Sequence, residues 1–534
     1  MADPINATTG AGDEEVKAYK IHIPTKHLEL TRRKLELTRL PHETPSPSSP
    51  SGWWEPKPQI ESLIDFWLEK YSWRDQESIL NTSAPQFRTS LPLPSLPAGG
   101  HLRLHFLHIR SPTPSAPPLL LLPPFPLTAH ALTHLIAPLT GSFHLVIPTL
   151  PSLGFSDPLP PGTANPIQTS AALLNSLMLR LSYPRYLAST TSPAATAPAH
   201  IDARLIRALV SSHATSCVAA HLIAPTLRPP ALRAAPLAWV RWRVARLLGG
   251  GLGYSAADVA RTPSKAVDTE AAGGWPRLAE PNGLSYALCD SPVGMLVYVV
   301  RALGTGLAPE RVVTMAKLAW LPGPEHLLRF WAGCERAEEG PPAGKRRGRV
   351  GVTVFGGGGG PAAWAGVEFD VVSVRSVEGG STGEGKGVLV FEKPEVICEG
   401  VKELAKAVLA RDPRAFEATG VVHPLEGVVV DKAGEAAPGQ GRAAAAPTPA
   451  PAPPKGNGGR AAVLPTLGMS PIQEKEEAKF KEDKGKGVEK GDGEGGMVLT
   501  PPPQIPVRDP LVDGESPDTL VEGSKTPPLD KAVA

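Results

Sequence analysis

Apolar positions in the first part of the chain follow helical spacing before they follow strand spacing. Ile21 to Leu40 is an amphipathic stretch of Leu among Lys and Arg, with Pro24-Thr25 placed as a helix start. Ile60, Leu63, Ile64 and Trp67 fall at i, i+3, i+4 and i+7, which predicts a helix over Ile60 to Leu80. Met1 to Tyr19 is polar and loose, and His42 to Ser51 is a Pro/Ser-rich loop. Leu102 to Ile109 alternates as a strand does. From there the character changes. Leu119 to Leu122 is an unbroken apolar run of the kind found in buried parallel strands. Thr128 to Leu139 is helical, and His144 to Pro148 is a second apolar strand. Strand, helix, strand is a βαβ unit and predicts a parallel sheet.

The alternation continues through Ala171–Leu181 and Ile201–Leu209, with further helices at Arg241–Leu248 and Val293–Leu303. Val350–Phe355 is a strand running into Gly356–Gly360, and Val396–Leu409 is a last amphipathic helix. Beyond about Gly434 the periodicity stops. Composition explains why. Gly 53 and Pro 62 are high for 534 residues, and 30 of the last 100 residues are one or the other, with Phe480 the only aromatic among them. Such a segment buries too little apolar surface to offset chain entropy, so it reads as disordered, with a docking segment around Leu499–Leu511 as the alternative.

Charge adds exclusions. Lys+Arg 54 against Asp+Glu 52 leaves +2, with no electrostatic footprint for nucleic acid. Cys217, Cys289, Cys334 and Cys398 are never in CxxC spacing and read as reduced thiols of an intracellular protein, with no metal site. No run reaches 18 apolar residues and no signal peptide is visible, which gives the expectation of a soluble, cytoplasmic chain without a transmembrane segment.

Several motifs, in order, resemble the microsomal-type epoxide hydrolases. Trp54, Ile60–Trp67, Tyr71-Ser-Trp73-Arg74-Asp-Gln-Glu77-Ser-Ile-Leu80-Asn81 and Pro85-Gln-Phe87-Arg-Thr89 look like that family's N-terminal domain. Pro148-Thr-Leu-Pro151-Ser-Leu-Gly154-Phe155-Ser156 is similar to its PSLPGFGFS. Leu177-Met178, Tyr183 to Tyr186, Leu284 to Gly294 and Phe391-Glu392-Lys-Pro394-Glu395 resemble further family segments. The resemblance runs from about Ile21 to Asp412. It implies an α/β-hydrolase fold, a mostly parallel sheet with helices on both faces, carrying a helical cap and an N-terminal extension. The expected domains are a loose 1–20, an extension over 21–115, a hydrolase domain over 116–415 with the cap at about 223–335, and a tail over 416–534.

The resemblance also implies a chemistry: an Asp carboxylate opens an epoxide to give an ester, and a His activates water to release a diol. Two cap tyrosines assist the ring opening, and backbone N–H groups after an HGWP turn hold the oxyanion. No cofactor is implied, and the ligand would be a small apolar epoxide. That turn maps onto Pro123–Thr128, where only the N–H of Phe125 survives beside Pro124, giving half an oxyanion hole or a purely structural turn. The nucleophile slot falls at Ser192 counting forward from Tyr186 and near His200 counting back from Arg207. Asp202 is the nearby acid and the candidate nucleophile; its alternative role is a helix N-terminal acid.

The histidine slot holds Gly387, and no His occurs from Ala343 to Val422. Tyr254, with Arg261, matches the first cap tyrosine, while Trp331 stands in place of the second and can donate a hydrogen bond but not shuttle a proton. Glu368 and Asp370 are the substitutes for the orienting acid. Three readings stay open: an epoxide hydrolase acting through Asp202, Tyr254 and Trp331; a non-catalytic binding or interaction protein of the same fold, with a protein partner through the tail; and a new triad of Ser192 with His200 or His213.

Overall fold

The computed structural model describes residues 15–42, 57–93, 100–194, 196–227, 229–233, 235–260, 278–303, 306–337, 348–355, 360–378 and 388–417. The expected tail beyond residue 417, the glycines 356–359, Arg261 and Gly387 lie outside the described residues.

Nine strands make one sheet. They are β1 (Lys17–Ala18), β2 (Gln86–Pro92), β3 (His101–Ile109), β4 (Pro118–Leu121), β5 (His144–Pro148), β6 (Tyr186–Ser189), β7 (Cys217–Ile223), β8 (Arg349–Phe355) and β9 (Asp370–Val377). Their spatial order is β1-β2-β3-β5-β4-β6-β7-β8-β9. The first four neighbours pair antiparallel, and every pair from β5–β4 to β8–β9 is parallel. This is the α/β-hydrolase arrangement. Its middle is dry: Leu119, Leu120 and Leu121 are fully buried, which is why β4 is apolar at every position instead of alternating.

The helices are α1 (Thr25–Glu36), α2 (Lys57–Glu69), α3 (Trp73–Ser83), α4 (Ile136–Thr140), α5 (Pro166–Arg180), α6 (Ile201–Ser212), α7 (Pro236–Leu248), α8 (Ala256–Ala260), α9 (Pro281–Asp290), α10 (Pro292–Leu303), α11 (Pro309–Trp320), α12 (Pro324–Arg336), α13 (Ala365–Glu368), α14 (Leu389–Glu392) and α15 (Pro394–Arg411). Helices α7 to α12 all intervene between β7 and β8 and form the cap.

Three local expectations change. The continuous helix predicted over Ile60–Leu80 breaks into α2 and α3, because Ser72 takes extended backbone and its side chain accepts from the Asp75 N–H to start a new helix. The helix predicted over Thr128–Leu139 is a 3₁₀ segment over Ala129–Leu135 that passes into α4. Within the stretch expected to be loose, Lys17 and Ala18 pair antiparallel with Arg88 and Phe87 at the sheet edge.

The N-terminal arm is fixed by polar groups. Asn81 accepts from the Ile21 N–H at 2.8 Å and donates to the Ile21 carbonyl at 2.9 Å. Buried Glu77 accepts from the Ile23 N–H at 2.6 Å, the Trp73 indole at 3.1 Å and Arg74 at 2.6 Å. Those bonds hold its carboxyl below the usual carboxylate range despite burial. Glu77→Ala leaves the indole and the Ile23 N–H without their acceptor, and should destabilise the protein by about 3 kcal/mol. It should also speed proteolysis near Ile23. Chemical unfolding and limited digestion check this; a neutral variant would show that Glu77 does not secure the arm.

Buried histidines make the fold acid-sensitive. Burial pushes His108 and His130 down from 6.5 to about 4 and His221 to about 3, and it holds His105 well below its ordinary value. The unfolded chain therefore takes up protons below pH 6.5 that the folded chain refuses, so stability falls as pH drops from 6.5. At pH 5 the loss is about 2 kcal/mol for each of His108, His130 and His221. The urea midpoint at pH 5.0 should lie well below that at pH 7.0, and equal midpoints would refute the assignment.

Candidate functional site

In a parallel sheet of this kind, sites form beyond the carboxyl ends of the strands where the strand order reverses. Here that place lies between the turn after β4 and the loop after β6. The two segments are stitched together: the Leu122 N–H donates to the Ser189 carbonyl at 3.0 Å, and the Thr191 hydroxyl donates to the Leu122 carbonyl at 2.6 Å. The turn continues through Pro123 and Pro124 to Phe125, whose peptide bond to Pro126 is cis.

From Thr190 the loop keeps pairing with the neighbouring strand. The Thr190 N–H donates to the His221 carbonyl, and the Ile223 N–H donates to the Thr190 hydroxyl. The Ala194 N–H reaches the Ile223 carbonyl. Thr190, Thr191 and Ser192 are all buried. The loop then turns sharply into α6 through Ala199 (φ 50°) and His200 (φ 51°), two non-glycine residues in the left-handed region. A strained turn between strand and helix is where a hydrolase of this fold carries its nucleophile. Here the residues are an alanine and a histidine, and His200 Nδ1 is bonded to the Ala194 carbonyl at 2.8 Å.

Asp202, in the first turn of α6, folds back beneath this turn. Its carboxyl is 1% exposed. Both oxygens lie 3.2 Å from the Phe125 backbone nitrogen, and the Ser192 hydroxyl donates to Oδ2 at 2.6 Å. The Phe125 N–H, the oxyanion donor expected of this turn, is thus held by a carboxylate from within the protein. Burial raises the Asp202 carboxyl from 3.8 to about 6, and the bonds from Ser192 and Phe125 oppose that rise.

The cap closes over these groups. The Phe125 ring lies 5.8 Å from the Phe330 ring on α12. Arg204 of α6 donates to the carbonyls of Cys334 and Ala337 at 2.6 Å each, tying down the end of α12. Trp331, next to Phe330, is 1% exposed and donates its indole N–H to Glu335 within the same helix at 2.7 Å. Tyr254 sits elsewhere in the cap, with its ring 5.0 Å from Trp242. Trp242 in turn packs 5.1 Å from Trp364, in the segment after β8. Burial raises the Tyr254 hydroxyl above its ordinary value, so it stays protonated at neutral pH.

Of the residues singled out in the sequence, Phe125, Ser192 and Asp202 come together. His213 ends α6 at the pole opposite Asp202, some 18 Å away along a helix of this length. Glu368 pairs with Arg207, and Asp370 opens β9 beside Arg349 and Arg411, at the amino ends of the strands and away from the site.

A second polar cluster forms around His221, a histidine near the elbow segment that no spacing in the sequence links to its partners. His221 on β7 bonds Ser189 through Nδ1 at 3.1 Å and Thr353 through Nε2 at 2.8 Å. The Ser189 hydroxyl donates to the Thr190 carbonyl at 2.7 Å, so Nδ1 carries the imidazole proton and Nε2 accepts from Thr353. Gly400 of α15 lies against this ring; a Cβ there would sit 2.4 Å from Nε2, so only glycine fits. Sealed between the sheet and α15, His221 is neutral and has no route to a substrate.

The ionised Asp202 is destabilising at neutral pH, since its folded value lies above its unfolded one. The cost is about 3 kcal/mol above pH 6 and is relieved as pH falls through 6 toward 4. Asp202→Asn should therefore match or exceed the parent in thermal stability at pH 7.5, with the difference shrinking by pH 5. Asp202→Leu, which strands the Phe125 N–H and the Ser192 hydroxyl, should lose about 2 kcal/mol at pH 7.5 and more at pH 5, where the parent is relieved of its charge. Thermal melts at the two pH values decide it, and an Asn variant less stable than the Leu variant would contradict this account.

Comparison with known proteins bears on up to 74% of the chain. Residues 16–132 match the family model described as epoxide hydrolase N terminus. Epoxide hydrolase 1 of Oryctolagus cuniculus is 24% identical over 324 residues, covering 57% of this chain and 65% of the relative. The first curated relatives are spanned over 59% to 65% of their length. The Aspergillus niger epoxide hydrolase structure superposes with a TM-score of 0.57 at 20% identity, covering 74% of this chain and 97% of that one. The juvenile hormone epoxide hydrolase structure from Bombyx mori gives 0.54 at 18% identity, covering 74% and 95%.

Proposed function

We propose that this chain is a member of the epoxide hydrolase family that keeps the fold without the reaction, acting as a binding or interaction protein; the N-terminal family model over residues 16–132 and the similarity to curated epoxide hydrolases support the membership. The observation that carries this reading is the Asp202 carboxylate: 1% exposed, bonded to both the Ser192 hydroxyl and the Phe125 N–H. A nucleophilic carboxylate needs an open line to the epoxide carbon, and the oxyanion donor must be vacant when the ester is hydrolysed. In this arrangement each group consumes the other.

The rest of the apparatus supports the same reading. The histidine slot is Gly387, and no histidine occurs from Ala343 to Val422. Without a base an Asp ester, once formed, would persist. Trp331 spends its indole N–H on Glu335. Members of such a constellation act as a unit, so their joint loss removes most of the rate.

The test is direct. The purified chain, incubated with styrene oxide or stilbene oxide, should give no diol above the buffer rate, and mass spectrometry should find no mass adduct on the peptide containing Asp202. Diol formation by the parent that disappears in Asp202→Asn, with the variant folded, would overturn the proposal and restore hydrolysis through Asp202.

A further inference from the structure

Helix α7 has its amphipathic face turned the wrong way for a buried cap helix. Its inward side is held by Trp242 and Ala245, both buried. Its outward side carries Leu237 at 80% exposure, Val240 at 48%, Leu247 at 85% and Leu248 at 71%. At 100° per residue those four positions fall within an arc of about 100°, a continuous apolar stripe facing solvent. Single exposed apolar residues need no explanation, whereas a stripe along a whole helix marks an interaction surface.

The flanks of the stripe name the partner. Arg241 borders it on one side and Arg243 on the other, both exposed. From Pro225 to Ala257 the sequence contains five arginines, no lysine and no acidic residue. The Arg243 guanidinium lies 5.5 Å over the Trp239 ring, and Arg241 donates to the Leu252 carbonyl at 2.7 Å. The latter bond keeps the glycine-rich turn after α7, with its half-exposed Leu252, against the helix. Gly249, in the left-handed region, ends the helix and starts that turn.

We propose that α7 is an interfacial helix that docks the cap on an anionic lipid surface, its leucines in the acyl boundary and Arg241 and Arg243 at the headgroups. An apolar stripe bordered by long basic side chains, whose stems lie along apolar surface while their heads stay in the polar layer, is the arrangement such a surface selects. A symmetric contact with a second copy would set Arg241 and Arg243 against their own counterparts, with no acidic residue on either helix to compensate. No single helix among the described residues is long and apolar enough to cross a membrane, so the association is lateral and reversible. It does not depend on whether Asp202 is catalytic.

The test is flotation of the full chain with vesicles of phosphatidylcholine alone or of phosphatidylcholine and phosphatidylserine at 7:3. The chain should float with the mixed vesicles and not with phosphatidylcholine, and release as NaCl is raised. Leu247→Glu/Leu248→Glu and Arg243→Glu should each cut the bound fraction at least tenfold, while circular dichroism and thermal melts stay at parent values. No flotation of the parent would overturn the proposal. So would flotation that both variants retain, which would move binding to the Lys-rich tail around Glu474–Lys490. Retention on immobilised polyglutamate that both variants lose, without flotation, would reassign the face to an acidic protein. A dimer in light scattering that Leu247→Glu/Leu248→Glu dissolves, again without flotation, would reassign it to a second copy.

Discussion

The bonds that the Asp202 carboxylate accepts from the Phe125 N–H and the Ser192 hydroxyl join three pieces of chain, adding to the pairing that already sets β4 beside β6. Phe125 ends the turn after β4, Ser192 lies in the loop after β6, and Asp202 begins α6. All three groups are buried, so none can reach water for a partner if the contact fails. Two donors and the first turn of α6 offset part of the desolvation of the ionised carboxyl, and burial still leaves it raised to about 6. The turn, the elbow loop and the register of α6 are set together, and the cap follows, because Arg204 two residues on holds the end of α12 and the Phe125 ring meets Phe330.

Much of this architecture is legible in the sequence. The apolar runs at Leu119–Leu122 and His144–Pro148 are strands because a parallel sheet covered on both faces leaves no wet side to alternate toward. Thr25 begins α1, as Pro24 at its amino end suggests, and Ile201, Val350 and Val396 fall in the elements their periodicity predicts. Failures occur where one side chain overrides a pattern. The spacing from Ile60 to Leu80 is helical throughout, yet the Ser72 hydroxyl offers the Asp75 N–H a better partner than a continued helix does. At β9 the pattern Asp-Val-Val-Ser-Val-Arg-Ser-Val does alternate in part, but its neighbours 356–359 and 379–387 are glycine-rich and mask its edges.

The site was legible only as a set of departures from a resemblance. Periodicity gives no sign that Ser192 and Asp202 would meet, since nine residues, mostly Pro- and Ala-rich loop, separate them. The choice between Ser192 and His200 as the nucleophile slot was insoluble by counting for a physical reason. A nucleophile elbow is one sharp turn that ends a strand and starts a helix, and here those two properties lie apart. The end of the strand leads to Ser192, while the left-handed backbone sits at Ala199 and His200. The Ser189–His221–Thr353 cluster is similarly silent, because its members lie on three strands and only the parallel register His221 to Ser189 and Ile223 to Thr353 brings them to one level.

A buried carboxylate raised to about 6 is an expensive way to close a turn, and an amide or hydroxyl would do it at lower cost. That it is a carboxylate is consistent with descent from a site built to hold one. In such a site the N–H after the turn stabilises negative charge that appears transiently on a substrate oxygen. Move a fixed negative charge of the protein onto that N–H and the same donor becomes a permanent structural bond. The left-handed backbone at Ala199 and His200 fits the proposed reading, since a turn that costs conformational energy persists where the surrounding packing imposes it. Once the histidine is absent, nothing selects for an open path to the carboxylate, and the proposed loss of chemistry and the closed geometry reinforce one another. The outward-facing leucines of α7 belong to a different logic. They would be costly on any surface that stays wet, and their position on the far side of the helix from Trp242 leaves the interior of the cap undisturbed whichever partner covers them.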